Sequence, residues 1–323
     1  MPNDPREDIA TIIADYRQGE VPKPTADHVD RWARQLTEVN RERVLTEMVH
    51  ILNKAYVSKA DVQRFLTQVV TSDKLTGGDP ASFWKGVCFL RLQQAGNSQK
   101  DMLSLMDDVL FKTVGFKTAQ CGTNPQLYLY LDDGVFSGGR IKNDLKRWIE
   151  QDAPAKASVA VVVMASHAGG RFYADTEIAK AATAAGKTID VTWWRAMPIE
   201  DRRAYTDTSD VLRPKTIPAE AAAYIDALDY RPVLRAGNNV GPLGLFSSGG
   251  ARDVVEQEFL KAGIDVRRRC PNLGPQMRPL GSTWLQTPGF GTLFVTYRNI
   301  ANNAPLVLWA GNPWYPLFPR RTN

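Results

Sequence analysis

Over the first seventy or so residues, apolar positions recur at helical spacing. Val29, Trp32, Leu36 and Val39 fall on one face, then Val44, Met48, Ile51, Leu52 and Tyr56, then Val62, Phe65, Leu66, Val69 and Val70. Thr25 with Asp27, then Asn40, then Ser58 with Asp61 stand where these segments start. Short polar side chains accept hydrogen bonds from the free N–H groups of a first helical turn. Three amphipathic helices in a row predict a small bundle or a helical cover, with Trp32, Tyr56 and Phe65 in its core. The stretch Thr76-Gly-Gly-Asp-Pro80 breaks the pattern. The expected organisation is therefore a helical region over residues 1–75 and one further domain over 76–323.

From Phe83 onward the period changes. Residues 87–92, 127–131, 159–165 and 188–194 read as strands. Between them lie a helical pattern carrying Met102, Leu105, Met106 and Val109, another over 141–149 and a third over 176–185. Strands alternating with helices predict an α/β fold with a mostly parallel central sheet flanked by helices. The C-terminal third is less regular. Phe246-Ser-Ser-Gly-Gly-Ala-Arg252 reads as a glycine-rich helix start and thus a second anion seat. Residues 289–298 read as loop and strand, 306–309 as a strand, and the aromatic, proline-rich end as packing back on the domain.

Ligands of parallel sheets gather at the carboxyl ends of the strands. That rule brings three loops together, 93–98, 132–140 and 166–170. The middle one follows the run Leu127-Tyr-Leu-Tyr-Leu and continues Asp132-Asp133-Gly-Val-Phe-Ser137-Gly138-Gly139-Arg140. Two carboxylates at a strand end can accept hydrogen bonds from vicinal hydroxyls. Ser137 is a natural N-cap, and Gly138 and Gly139 let backbone approach a ligand closely. Free N–H groups at the helix start, with Arg140 beside them, seat a phosphate. Together these features match a ribose 5-phosphate. In the first loop, Gly96, Asn97 and Ser98 open a helix and could meet a second phosphate through their N–H groups. His167 in the third loop stands where a base or a ribose partner could act.

Composition narrows the class. The chain has 323 residues, 43% hydrophobic and 23% charged, as expected of a soluble globular protein of one large or two ordinary domains. Its longest apolar run, over 159–165, is far too short to span a bilayer. The start, Met-Pro-Asn-Asp-Pro-Arg-Glu-Asp, has no secretory pattern. Cys88, Cys121 and Cys270 are scattered, which fits a reducing, cytoplasmic setting, and His28, His50 and His167 are too dispersed for a metal cluster. The formal charge of +5 suits an anionic small molecule. A nucleic-acid groove is less favoured, because the basic clusters lack interleaved aromatics.

The Asp-Asp loop resembles the phosphoribosyl diphosphate motif of type I phosphoribosyltransferases. There an apolar strand, two acidic residues and a short variable stretch lead to Thr or Ser with Gly. Ser137 replaces the commoner Thr, and Gly134, Val135 and Phe136 make the loop unusually apolar. The loop 93–98 falls where that family contacts diphosphate, without the basic residue often found there. More of the chain is similar to PRTase-CE, a phosphoribosyltransferase-like family of bacterial conflict systems. The similarity rests on Trp32-Ala-Arg-Gln35, Phe89-Leu-Arg-Leu-Gln-Gln-Ala-Gly-Asn-Ser-Gln99, the Asp-Asp loop, Gly289-Phe-Gly, Tyr297-Arg-Asn, Asn302-Asn-Ala-Pro-Leu-Val-Leu-Trp309 and Pro316-Leu-Phe-Pro-Arg320. It implies a nucleotide-processing or nucleotide-sensing part of antiviral defence. If the protein is an enzyme, the implied reaction is displacement at the anomeric carbon of phosphoribosyl diphosphate or a nucleotide, with Mg²⁺ on the leaving diphosphate. The alternatives are a sensor that binds without turnover and a protein that binds nucleic-acid ends.

Overall fold

The computed structural model describes residues 3–94, 96–270 and 273–320. The chain forms two compact units, one of Ala60–Pro198 and one of Met1–Lys59 with Ile199–Asn323. The turn at Thr76-Gly-Gly-Asp-Pro80 therefore lies inside a unit and does not divide the chain. Gly77, at φ +62°, caps the short helix Asp73–Thr76, and the Asp79 carboxylate accepts the Ser82 N–H to open the helix Pro80–Lys85. A Gly-Gly-Asp-Pro string ends one helix and starts another as readily as it links domains.

In the unit Ala60–Pro198, four strands lie side by side in sequence order: Val87–Phe89, Leu127–Val135, Lys156–His167 and Thr188–Ile199. The sheet is parallel. The helices Ser98–Val114, Gly139–Gln151 and Ala168–Ala184 connect its strands. Leu129 is paired with Phe89 on one side and Ala160 on the other, so the Leu127–Val135 strand is interior. Val159 to Ala165 are all buried, which suits an interior parallel strand covered on both faces. Tyr130, Val161 and Val163 pack with Leu145 and Trp148 from one helix and Ala174 and Ile178 from the next. The α/β architecture expected from the alternating pattern is present. Strand ends differ from expectation: the first stops at Phe89, and the second runs four residues further, through both aspartates to Val135.

In the other unit, the helices Ala26–Ala33 and Glu38–Ala55 follow the predicted periodicity, and Thr25 Oγ1 accepts the His28 N–H. Val39 is 79% exposed, because a new helix starts at Glu38 and turns it off the apolar face. A preceding helix, Pro5–Ile12, was not announced by the pattern. Trp32 is fully buried, edge-on to Phe259 of the long helix Gly249–Arg269, and its indole N–H donates to the Val307 carbonyl at 2.8 Å. Residues Leu306–Trp309 form one helical turn and not the expected strand. All four are buried, and a short, wholly apolar run carries no periodicity to separate the two states. Val295–Thr296 pairs in parallel with Tyr56–Val57 and antiparallel with Asn299–Ile300. Among the described residues, no helix is long and apolar enough to cross a membrane.

Candidate functional site

Parallel direction alone brings the carboxyl ends of Val87–Phe89 and Leu127–Val135 to the same edge of the sheet. Each is followed by a loop and a helix. Neither of those helices, Ser98–Val114 nor Gly139–Gln151, has a side-chain cap on its N-terminus. Uncapped N–H groups are the usual requirement for an anion seat. Ser137 was expected to cap the second helix. Instead Gly138 occupies the cap position at φ +77°, a left-handed conformation that glycine adopts without a Cβ penalty, and Ser137 is exposed. Asn97 caps the first helix by position only, and Gly96 before it stands at φ +88°.

The first loop is held from within. Gln93 Oε1 accepts the Gln99 N–H at 3.1 Å, while Gln99 Oε1 accepts the N–H groups of Leu92 and Gln93 at 2.7 and 3.1 Å. Gln93 Nε2 donates to Ser98 Oγ at 2.8 Å, and the Ser98 hydroxyl donates to the Asp132 carboxylate. The Arg140 guanidinium lies by Gly96: a Cβ built there would stand 3.7 Å from Arg140 Nη1. Ser98, Asp132, Arg140 and Gly96 are thus one cluster. Arg140, reaching from the second loop, supplies the cation that the first loop lacks.

The acidic pair divides. Successive strand residues face opposite sides, and both aspartates lie within the strand. Asp132 is 3% exposed and also accepts the Asp133 N–H at 2.8 Å, whereas Asp133 is half-buried. Burial first, then the charge of Asp133, push the Asp132 carboxyl up to about 7, against the pull of Ser98, the Asp133 N–H and Arg140. Asp132 is therefore a carboxyl that gains or loses a proton near neutrality. Behind it, Tyr130 donates to Asp144 at 3.0 Å, and Arg147 donates to the Leu92 carbonyl.

His167 is fully buried. Its Nδ1 lies 2.9 Å from the Val135 carbonyl, and its ring is 5.1 Å from that of Phe136. The helix Ala168–Ala184 begins just after it, and Gly170 backs onto Phe136 and Gly138. The structure thus places His167 beneath the loop that contains Ser137, Gly138 and Gly139. Nothing in the sequence pattern pointed to Gln93 and Gln99, because a reciprocal clamp at a spacing of six has no periodic signature. Among the described residues, no three His, Cys, Asp or Glu side chains cluster as a metal cage.

The second anion seat expected near Arg252 is used internally. Ser248 Oγ accepts the Ala251 N–H and closes the helix start. The fully buried Arg252 guanidinium donates to the carbonyls of Ser209, Asn239 and Val211 and pairs with Glu256 at 2.7 Å. Arg235 meets the same Glu256 at 2.9 Å, and the Arg213 N–H donates to it at 2.8 Å.

A parallel sheet whose interior strand ends in an acidic pair, a glycine turn and an uncapped helix defines a phosphoribosyltransferase-like protein. The PRTase-CE family model matches residues 29–320, and the chain belongs to that family. No curated protein and no solved structure matches it.

Proposed function

We propose that the cluster binds the ribose 5-phosphate part of phosphoribosyl diphosphate or of a nucleotide. The observation that carries this is the meeting of Gly96, Ser98, Asp132 and Arg140 beside two uncapped helix N-termini. The N–H groups following Gly138 receive the 5-phosphate. The N–H groups after Asn97, with Arg140, receive a second phosphate on the anomeric carbon. Asp133, the half-buried carboxylate, accepts from the ribose hydroxyls. Asp132 beneath it holds Ser98 and tunes the charge of the pair. His167 supports the loop from below. Mg²⁺ is commonly held by one or two carboxylates together with substrate phosphates; Asp133 with a bound diphosphate fits that donor set, and the ion supplies charge neutralisation at the leaving group.

With the phosphates and ribose fixed, displacement at the anomeric carbon is assisted by positioning and by electrostatic stabilisation of the departing diphosphate. We place this activity in the nucleotide chemistry of bacterial antiviral defence, in line with the family's resemblance to conflict-system proteins. The test is ligand-induced thermal shift with phosphoribosyl diphosphate and common nucleotides, with and without Mg²⁺, on the wild type and on Asp132→Asn/Asp133→Asn. We expect a shift in the wild type that the folded double variant loses. An unchanged shift in the variant sinks the assignment. Release of diphosphate or base separates an enzyme from a sensor.

A further inference from the structure

We propose a second ligand site, for a nucleoside monophosphate, in the unit of Met1–Lys59 and Ile199–Asn323. A cavity of about 390 Å³ opens there, within the size range of small-molecule sites. Val21, Pro22 and Pro24 give it an apolar wall, and the fixed φ of proline keeps such a wall rigid. A flat heterocycle can lie against it with little loss of protein freedom.

The polar groups of the cavity are held in place by hydrogen bonds and ring contacts. Tyr315 OH is 2.8 Å from His28 Nδ1, and His28 Nε2 is 2.9 Å from the Leu317 carbonyl, so both ring nitrogens are engaged. Burial holds the His28 imidazole below its ordinary range, which keeps it neutral. The Arg31 guanidinium sits 4.1 Å from the centre of the Tyr315 ring. An aromatic face, and no carboxylate, positions this arginine. Lys23 lines the same cavity. Among the described residues, neither Lys23 nor Arg31 takes part in an ion pair, although Arg34 and Arg6, on neighbouring segments, both pair with Asp30. Asp27 is the one carboxylate lining the cavity.

Two cations without counterions in a concave site call for an anion. A guanidinium beside an ammonium suits the oxygens of a phosphate monoester. Asp27 can accept from a ribose hydroxyl or an exocyclic amine. The volume admits one mononucleotide and excludes an oligonucleotide. This site lies in the other unit from the Asp132 cluster and does not depend on it.

Isothermal titration calorimetry of the full chain with AMP, GMP, CMP and UMP tests the proposal. It is run on the wild type, on Asp132→Asn/Asp133→Asn, on Lys23→Ala and on Lys23→Ala/Arg31→Met, with inorganic phosphate and the nucleosides as separate probes. At least one monophosphate should bind saturably to the wild type and to the aspartate variant alike. Lys23→Ala, at an exposed position, should weaken binding several-fold, and the double variant by about tenfold or more. Phosphate or nucleoside alone should bind far more weakly. The proposal is overturned if no monophosphate binds up to millimolar concentration. It is also overturned if binding survives in both Lys23 variants, or is lost only in the aspartate variant. Because the signal is read on a protein whose acidic pair is disabled, failure at the loop site and failure here are distinguishable.

Discussion

The backbone of Gly138 rests directly on the backbone of Gly170. A Cβ on Gly138 would strike the Gly170 carbonyl, and a Cβ on Gly170 would strike the Phe136 carbonyl and stand 3.0 Å from the Gly138 nitrogen. These two glycines belong to different loops, 32 residues apart in the chain. Their contact sets the height of the phosphate loop above the start of the helix Ala168–Ala184.

It follows that Gly138→Ala and Gly170→Ala should each destabilise the protein by about 2 kcal/mol or more, since the obstructing atoms are backbone and cannot rotate away. Gly138 carries the added strain of a left-handed backbone. Gly139→Ala is the control. Its Cβ would meet only Ser137 Oγ, at 3.7 Å, and it starts a helix, so it should be neutral within about 1 kcal/mol. Urea unfolding of the three variants checks this. Equal stability for Gly170→Ala and Gly139→Ala would mean that the two loops do not touch as described.

A second expectation concerns pH. Folding raises the Asp132 carboxyl to about 7, above its unfolded value, so the folded state binds the extra proton between about pH 4 and 7. This carboxyl is without penalty near pH 4. It costs stability as pH rises, and the full cost is reached above about 7. Asp132→Asn removes the ionisation. The variant should gain on the order of 3 kcal/mol over the wild type at pH 8, with the difference shrinking towards zero near pH 4. Thermal denaturation across that range provides the measurement. A difference that stays flat with pH would show that Asp132 does not titrate there. A stabilised variant that no longer binds ligand would mark the carboxylate as kept for function.

His167 should behave as a support. His167→Ala leaves a hole under Phe136 and strips the Val135 carbonyl of its partner, at a cost of about 2–4 kcal/mol. His167→Asn can place an amide N–H near the Nδ1 position and should recover part of that loss. Chemical denaturation reads both. A His167→Ala protein of wild-type stability that nonetheless loses turnover would assign the imidazole to chemistry.

In the other unit, Glu256 balances Arg252 and Arg235 and accepts the Arg213 N–H, with all four residues buried. Glu256→Leu leaves two guanidinium groups without a counterion in the interior and should cost about 3–5 kcal/mol. Removing the surface pair Arg231–Asp226 by Arg231→Ala should cost less than about 1 kcal/mol. Comparable losses for the two variants would contradict the burial of the network.

Much of this fold was legible before any coordinates. Period alone announced Ala26–Ala33, Glu38–Ala55 and the strands around Leu129 and Val161, because each presents an apolar face or core at a regular interval. The acidic pair, the glycine turn and Arg140 were legible as well, since their chemistry is local. Leu306–Trp309 was not, because four consecutive buried apolar residues suit a helical turn and a strand equally. Nor was Ser137, whose capping role passed to Gly138 once the Gly170 backbone occupied the adjoining space.

The sequence by itself determined which segments become helix or strand and which residues carry phosphate chemistry, because periodicity, glycine freedom and carboxylate charge are properties of neighbours along the chain. Tertiary structure decided what those residues experience. Strand pairing buried Asp132 and left Asp133 half-open, so two identical side chains acquired different proton affinities. The fold brought Arg140 to Gly96, put His167 beneath a loop, and joined the lead helices to the C-terminal third in one core. Each of these depends on contacts between residues distant in sequence, set by packing and desolvation, which no local pattern encodes.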